Sequence, residues 1–199
     1  VLQPIRPEDG YKPFTDIADI WRGDTAKKMS IAVDAEGVDE IVVLVEPPPN
    51  ILVLGAGLDA EPVVRFAAEL GWRCTVADHR QAYIDTGDFA AAVARCCIPV
   101  GELGATLDLS RFRAAVVMSH HLVSDRGYLQ QLADTDIGYI GLLGPAQRRE
   151  RLLADLGKSA EKLQSRLYGP AGLDLGGRGP APIALSIVAQ IQEKLAAAS

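Results

Sequence analysis

Residues 51–60 have the sequence Ile51-Leu52-Val53-Leu54-Gly55-Ala56-Gly57-Leu58-Asp59-Ala60. The four leading apolar residues indicate a short buried strand, and the two glycines indicate a tight turn. Apolar side chains then recur at helical spacing up to Leu70, and Gly71 follows where a helix C-terminus favours glycine. A second apolar strand ends in Asp78. This order predicts the first half of a dinucleotide-binding βαβ unit, in which a glycine turn and a helix N-terminus hold a pyrophosphate.

The glycine turn and the acid meet both demands of the dinucleotide fingerprint. The turn has the spacing Gly-x-Gly-x-x-Ala, and Asp78 follows about 20 residues later, where it can bond a ribose hydroxyl. Cofactor contacts are therefore predicted for Gly55, Ala56, Gly57, Leu58, Asp59, Ala60, Asp78, His79 and Arg80. Asp59 brings a negative charge near the phosphate unless it points away or caps the helix. Alternatively, Asp78 only caps or solvates the end of a strand. Arg80 could face a 2′-phosphate, so the sequence does not decide between NAD and NADP as the cofactor.

The composition limits the class of protein. The chain has 199 residues, 48% of them hydrophobic, which suffices for one such domain and an attached segment. A net charge of −6 with no basic block argues against a nucleic-acid partner. No apolar run reaches the roughly 20 residues that span a bilayer. Three cysteines do not suggest a disulfide framework, so the cytoplasm is the expected location.

Two segments are expected. Residues 1–49 form an incomplete N-terminal segment with an irregular, proline-containing start, a strand over Ile41–Val45 and a rigid connector of three prolines. Residues 50–199 form the nucleotide- or cofactor-binding domain. The predicted class is α/β: a Rossmann-like, doubly wound, mostly parallel sheet with helices on both faces, plus a short N-terminal β-containing segment. Unpaired strand edges in the first segment could be covered in a homodimer.

Beyond Asp78, the pattern predicts a helix over 88–95 and a short strand over 96–100. The adjacent Cys96 and Cys97 lack the spacing of a metal site and are expected to be buried, inert thiols. No metal ligands are predicted.

A strong apolar strand over 114–118 leads directly into Ser119 and His120. Ligand-binding groups collect beyond the carboxyl ends of parallel strands, so both side chains are predicted to line a cofactor crevice. His120 is the candidate catalytic residue, because a histidine there can donate a proton or contact a ligand. The alternative is a helix-capping serine beside solvated histidines. His121 is expected to face elsewhere.

The combination of a strand and a glycine turn occurs again over residues 137–144. A helix follows it, which begins near Pro145 and ends near Gly157. This helix carries Arg148, Arg149 and Arg151. These arginines form either an exposed basic face or a contact to a phosphate or an acidic partner. A glycine-rich loop follows, and a final helix begins near Pro180. The predicted cofactor contacts in this region are Gly141, Leu142, Gly144 and Asp174, although Asp174 could merely form a turn.

Together these motifs resemble the C-terminal Rossmann domain of the xanthine dehydrogenase accessory proteins, the XdhC/CoxI family. The resemblance covers roughly residues 40–197. It rests on Gly55-Ala56-Gly57, Asp78, Met118-Ser119-His120-His121 with Asp125, Tyr139-Ile140-Gly141-Leu142-Leu143-Gly144, Gly169-Pro170-Ala171-Gly172-Leu173-Asp174 and Pro182-Ile183-Ala184-Leu185-Ser186-Ile187, in that order.

The resemblance implies a maturation factor for molybdenum hydroxylases of the xanthine or CO dehydrogenase type. Such proteins bind molybdenum cofactor of the molybdopterin type, protect it while its sulfur ligand is installed, and assist its insertion. The implied partners are a cysteine desulfurase and the molybdenum hydroxylase, through its large subunit. The family's usual N-terminal Gly-Gly-Cys motif is lacking here, which implies a fragment, a split protein or a divergent member. Leu58-Asp59 stands where many members have His-Val.

Two enzyme classes compete with a non-catalytic accessory protein. An NAD(P)-dependent oxidoreductase could use His120 as acid or base, but no Tyr-x-x-x-Lys pair is present to polarise a carbonyl. A methyltransferase using S-adenosylmethionine usually has an acid just before the first glycine, where this chain has Leu54. The accessory role is favoured, and its bound group is either molybdenum cofactor or NAD(P).

Overall fold

The computed structural model describes residues 12–23, 25–32 and 40–197. The chain divides into two compact units, Val1–Pro48 and Pro49–Ser199. Among the described residues, no helix is both long enough and apolar enough to cross a membrane.

The first unit contains one helix and an antiparallel pair of strands within its described residues. These elements are α1 (Lys12–Arg22), β1 (Lys27–Ala32) and β2 (Glu40–Val45). β2 confirms the strand predicted over Ile41–Val45. The helix α1 was not predicted, because Pro13 was interpreted as part of an irregular segment. Proline is in fact well tolerated in the first turn of a helix, where its missing N–H has no intrahelical partner.

The second unit is built on a parallel sheet that has six strands in its described residues. The strands are β3 (Asn50–Leu54), β4 (Arg73–Asp78), β5 (Ala94–Cys97), β6 (Phe112–Val117), β7 (Tyr139–Leu142) and β8 (Leu167–Tyr168). Their order is β5-β4-β3-β6-β7-β8, and every neighbouring pair is parallel. The order therefore reverses between β3 and β6, as in a doubly wound Rossmann sheet. The predicted fold class is confirmed.

Helices cover both faces of this sheet. One face carries α2 (Ala60–Glu69), α3 (Gln81–Thr86) and α8 (Pro180–Ala197). The other face carries α4 (Leu103–Thr106), α5 (Leu122–Leu132), α6 (Ala146–Leu156) and α7 (Lys158–Leu163). Two short 3₁₀ turns, Val100–Glu102 and Leu109–Arg111, complete the connections.

The central strand β3 is buried on both faces. Ile51 and Val53 belong to the core beneath α2 and α8, whereas Leu52 and Leu54 belong to the core beneath α5 and α6. All four side chains are fully buried, and each contributes about 1.5–3 kcal/mol through the hydrophobic effect. A continuous apolar run is what a central parallel strand requires, which is why this stretch could be recognised from the sequence.

The C-terminus of α2 follows the glycine prediction. Gly71 has a φ of +75°, its N–H donates to the carbonyl of Ala68, and the N–H of Trp72 donates to the carbonyl of Ala67. This pair of hydrogen bonds is the Schellman motif, in which a left-handed glycine satisfies the last carbonyls of a helix. The chain thereby turns directly into β4.

The prediction of a helix over 88–95 is wrong. The helix in this region is α3, which ends at Thr86, and β5 already begins at Ala94. The ring of Phe89 is buried and occupies the space beside Gly87 that a Cβ atom would fill. Pairing of β5 with β4 thus overrides the helix propensity of the alanine-rich segment between them.

The expectation of buried thiols is wrong for Cys97. β5 is the edge strand of the sheet, so the side chain of Cys97 is exposed and that of Cys96 only partly buried. Cys74 lies on the interior strand β4, where burial raises the pKa of its thiol to about 12. The exposure of the three cysteines therefore depends on whether their strand lies in the interior or at the edge of the sheet, which their sequence context does not indicate.

Candidate functional site

A cavity of about 520 Å³ opens at the carboxyl edge of the sheet, close to the reversal of strand order between β3 and β6. Doubly wound sheets bind their ligands at this position, and the volume lies in the range of small-molecule sites. We call it the crevice cavity. Its lining residues are Asp59, His120, Leu143, Gly144, Pro145, Arg148, Pro170, Ala171 and Ile183.

The glycine turn after β3 packs tightly against the end of β6. Gly55 has a φ of +118°, and its N–H donates to the carbonyl of Ala77 over 2.8 Å. A Cβ atom on Gly55 would lie 2.6 Å from the carbonyl carbon and oxygen of Met118. Gly57 is more open, since a Cβ there would meet only the His120 ring, at 3.9 Å. The first glycine is therefore required by packing of the sheet, whereas the second lies beside the His120 ring with room for a side chain.

Asp78 lies at the carboxyl end of β4 and is completely buried. Its carboxylate accepts hydrogen bonds from the Ala56 N–H (2.8 Å), the Arg80 N–H (2.9 Å) and the Arg80 Nε and Nη2 atoms (2.9 and 2.8 Å). Burial by itself raises the pKa of Asp78, but these hydrogen bonds outweigh it and hold the pKa below its usual value. The residue is therefore an ionised anchor that joins the glycine turn to the end of β4.

The Arg80 guanidinium covers this carboxylate and stacks over the Tyr83 ring, 3.7 Å from its centroid. The partly exposed His79 places its Nδ1 3.4 Å from a carboxylate oxygen of Asp78. Both oxygens of Asp78 are thus engaged within the protein. A ribose hydroxyl, the predicted partner of Asp78, could reach the carboxylate only by displacing Arg80.

His120 and Asp59 form a pair at the mouth of the crevice cavity. The His120 Nε2 lies 3.0 Å from the Asp59 Oδ2, and 56% of the histidine side chain is exposed. The Asp59 side chain makes no capping hydrogen bond to α2, so the carboxylate that the sequence places beside the phosphate position is directed to His120 instead. His120 has a φ of +60°, a left-handed conformation that is uncommon for residues other than glycine, although histidine adopts it more often than most. Such strain is typical of functional sites.

The strain at His120 leads to a testable difference between two variants. Both His120→Gly and His120→Ala lose the contact with Asp59, but only alanine keeps a Cβ atom in the left-handed region. We expect His120→Gly to be about 1 kcal/mol more stable than His120→Ala in urea unfolding. Equal stabilities would contradict a strained backbone at this position.

A second polar cluster joins β6, α5 and α6 behind the cavity. Asp125 is completely buried; its Oδ1 accepts from the Ser119 hydroxyl (2.5 Å), and its Oδ2 accepts from the Arg148 Nε (3.1 Å) and Nη2 (2.5 Å). The Arg148 side chain is 21% exposed and lines the cavity. A Cβ on Gly144 would lie 2.6 Å from the Arg148 Cδ, so glycine at this position makes room for the arginine.

The Ser119 and His121 side chains serve the local structure. Ser119 is buried and its hydroxyl also lies 3.2 Å from the backbone of His121. The Nδ1 atom of His121 caps α5, where it accepts from the Ser124 N–H at 3.4 Å and lies 3.0 Å from its hydroxyl. Of these adjacent polar residues, only His120 lines the cavity; Ser119, which was also predicted to line the crevice, is buried and does not.

The remaining predicted contacts divide between the strand interior and a neighbouring cavity. Gly141 and Leu142 are buried within β7, and a Cβ on Gly141 would lie 2.8 Å from the Tyr139 hydroxyl. Asp174 is exposed in the glycine-rich loop and lines a neighbouring cavity of about 460 Å³, which shares Pro170, Ala171 and Ile183 with the crevice cavity. Among the described residues, no cluster of three or more His, Cys, Asp or Glu side chains could hold a metal ion.

The sequence profile described as "XdhC Rossmann domain" matches residues 51–191, which include the whole lining of the crevice cavity. The chain belongs to the XdhC family. It carries an XdhC-type Rossmann domain related to xanthine dehydrogenase accessory proteins, as the motif order predicted.

Relatives of this XdhC domain are longer proteins. The chain is 32% identical over 182 residues to a probable xanthine dehydrogenase subunit of Bacillus subtilis (strain 168), covering 92% of the chain and 53% of that protein. It is 25% identical over 179 residues to "Uncharacterized protein YqeB" of Escherichia coli (strain K12), covering 87% of the chain and 31% of that protein. The chain thus spans about half or less of the length of these curated relatives.

The XdhC fold also matches a solved structure. A crystal structure described as a xanthine dehydrogenase from Bacillus halodurans superposes with a TM-score of 0.71 and 29% identity, over 85% of this chain and 48% of that one.

Several lining residues of the XdhC crevice cavity were not predicted as cofactor contacts. They are Leu143, Pro145, Arg148, Pro170, Ala171 and Ile183. Arg148 was interpreted mainly as part of an exposed basic face, whereas it is bonded to Asp125, and Arg149 donates through its Nε to the carbonyl of Leu167. One available signal was the position of α6, whose N-terminus directly follows a parallel strand and therefore faces the crevice.

Proposed function

We propose that this XdhC Rossmann domain belongs to an accessory factor that binds molybdenum cofactor as cargo and assists its insertion into a molybdenum hydroxylase. The observation that carries the proposal is the crevice cavity, which lies at the edge where doubly wound sheets bind their ligands and has Arg148 and His120 on its lining. The name of the Bacillus subtilis relative supports a hydroxylase of the xanthine dehydrogenase type as the partner.

The chemistry of the lining fits a pterin that carries phosphate. Leu143, Pro170, Ala171 and Ile183 offer apolar surface to a flat heterocycle. Arg148 offers a guanidinium group, which suits the planar geometry of phosphate oxygens. When bound, the cofactor supplies the molybdenum and its sulfur chemistry. The residues of this chain hold the organic part, orient it and shield it from water.

An NAD(P)-dependent oxidoreductase is the second candidate, and the strand order of the sheet is the observation that favours it. In that function His120 would act as acid or base beside the nicotinamide. The hydrogen bonds of Asp78 weigh against it, because the carboxylate that should receive a ribose is covered by Arg80.

Two tryptophan variants test the accessory role. Pro145 and Ala146 are both exposed, but only Pro145 lines the crevice cavity. The purified chain is incubated with released molybdenum cofactor, and the molybdenum that elutes with it from gel filtration is measured by mass spectrometry. We expect binding by the wild type and by Ala146→Trp, and at least tenfold weaker binding by Pro145→Trp, a change of about 1.4 kcal/mol.

The same samples are added to a cofactor-free xanthine dehydrogenase, whose recovery of activity should follow the bound molybdenum. Oxidation of NADH or NADPH by the chain is measured in parallel. Absence of molybdenum binding, or equal binding by both tryptophan variants, would overturn the proposal. Turnover of NADH or NADPH without molybdenum binding would favour the oxidoreductase.

A further inference from the structure

The two halves of the crevice differ in what they can accept. A doubly wound sheet binds a dinucleotide across both halves, one beyond β3, β4 and β5 and the other beyond β6, β7 and β8. The crevice cavity is lined by the turn after β3, by segments after β6, β7 and β8, and by α8. Of the described residues, none in the segments directly after β4 and β5 contributes to its lining.

The first half is closed by the protein's own side chains. Arg80 makes two side-chain hydrogen bonds to Asp78 and stacks on Tyr83, so it covers the carboxylate on which a ribose would be recognised. Asp78 in turn accepts the Ala56 N–H of the glycine turn. A dinucleotide would have to break this arrangement before its first ribose could bind.

The N-terminus of α2 is also poorly suited to a pyrophosphate. The Ala60 N–H already donates to the Gly57 carbonyl over 2.9 Å. Asp59 is the N-cap residue of α2, and its carboxylate pairs with the His120 imidazole on the lining of the crevice cavity, so it adds negative charge near this helix end. The usual pyrophosphate position of the fold therefore carries a negative charge of its own.

The second half offers a cation with unused donors. Arginine has five N–H donors, and the Asp125 contacts of Arg148 engage only its Nε and Nη2 atoms. Within the described residues, the Nη1 atom of Arg148 makes no hydrogen bond. The buried Asp125, held in place by Ser119, fixes the guanidinium beside the apolar wall of the cavity.

We propose that the crevice is a half-site that accepts a planar heterocycle carrying a single phosphate and rejects dinucleotides joined through a pyrophosphate. Arg148 contacts the phosphate, and Arg80 keeps the other half of the crevice closed. This inference rests on the proposed function and names the form of cargo that the same cavity selects.

Binding constants of three ligands test the half-site. The ligands are molybdenum cofactor with one phosphate, the same cofactor after phosphatase treatment, and NAD. The wild type should bind the phosphorylated cofactor at least tenfold more tightly than either of the others. Arg148→Gln should abolish the advantage of the phosphate, Arg148→Lys should keep part of it, and the exposed Arg151→Gln on the same helix should keep all of it.

Arg80→Ala tests the closed half by a gain of binding. This variant should bind NAD at least fivefold more tightly than the wild type, and any loss of affinity for the phosphorylated cofactor should be smaller than that in Arg148→Gln. If the affinity for the cofactor were the same with and without its phosphate, or the same in Arg148→Gln as in the wild type, the half-site would be overturned while the accessory function stands. Unchanged NAD affinity in Arg80→Ala would overturn the role of Arg80. Failure of every cofactor form to bind would overturn the proposed function itself.

Discussion

Gly55→Ala is expected to lower the free energy of unfolding of the Rossmann unit by roughly 4 kcal/mol or more. The added Cβ atom would lie 2.6 Å from the carbonyl group of Met118 and 2.7 Å from the Ser119 nitrogen. These are backbone atoms of the segment that leaves the neighbouring strand β6, so they cannot turn aside as a flexible side chain could. The φ of +118° adds backbone strain for any residue with a side chain.

Tryptophan fluorescence isolates the unit in which this change occurs. The chain has two tryptophans, and Trp72 is the buried one of the second unit, so a Trp21→Phe background leaves it as the sole reporter. Gly71→Ala is the matched control, because its φ is +75° but no atom lies within 4 Å of the added Cβ. We expect the control to lose only about 1–2 kcal/mol in urea unfolding. A similar loss in both variants would show that the contact with Met118 relaxes.

The fold could be predicted because its decisive signals are local. β3, the glycine turn and α2 follow one another within twenty residues, and each has its own pattern: a continuous apolar run, two glycines and helical periodicity. In the second unit, the predictions of secondary structure and burial that are wrong involve β5. Its segment contains alanines that favour a helix, and its position at the sheet edge, which exposes Cys97, depends on pairing with β4.

The candidate site could be predicted only in part. The spacing of a sequence motif indicates where a residue lies in the fold, but it does not indicate which side chains form hydrogen bonds with that residue. The fingerprint correctly places Asp78 at the end of β4. Its hydrogen bonds to Arg80 depend on the arginine rotamer, which no spacing rule describes. The Arg148 contact with Asp125 joins residues 23 positions apart and exists only because α6 packs beside α5. Tertiary packing therefore decides which polar groups face the crevice cavity.

The carboxylate of Asp78 is expected to be a major source of stability in the second unit. Asp78→Asn keeps the shape of the side chain but removes its charge, and it turns an amide group toward the N–H donors of Ala56 and Arg80. Removal of one partner from a buried, hydrogen-bonded ion pair is costly. Because Arg80 is partly exposed and can turn to water, we expect a loss of about 3 kcal/mol at pH 7.

The pH dependence separates this electrostatic contribution from a general loss of packing. Hydrogen bonds from Arg80 and Ala56 hold the pKa of folded Asp78 below the value of about 3.9 for an unfolded aspartate. The stabilisation is therefore complete above about pH 4 and is lost as the pH falls through the folded pKa.

Urea unfolding of the wild type and of Asp78→Asn should thus differ by a constant amount between pH 5 and 8, in the Trp21→Phe background, and by less at pH 3. The exposed Asp155→Asn serves as the control and should change stability by less than about 0.5 kcal/mol. If the difference between wild type and Asp78→Asn persisted unchanged in acid, the loss would come from the amide group that faces the N–H donors of Ala56 and Arg80, and not from the missing charge.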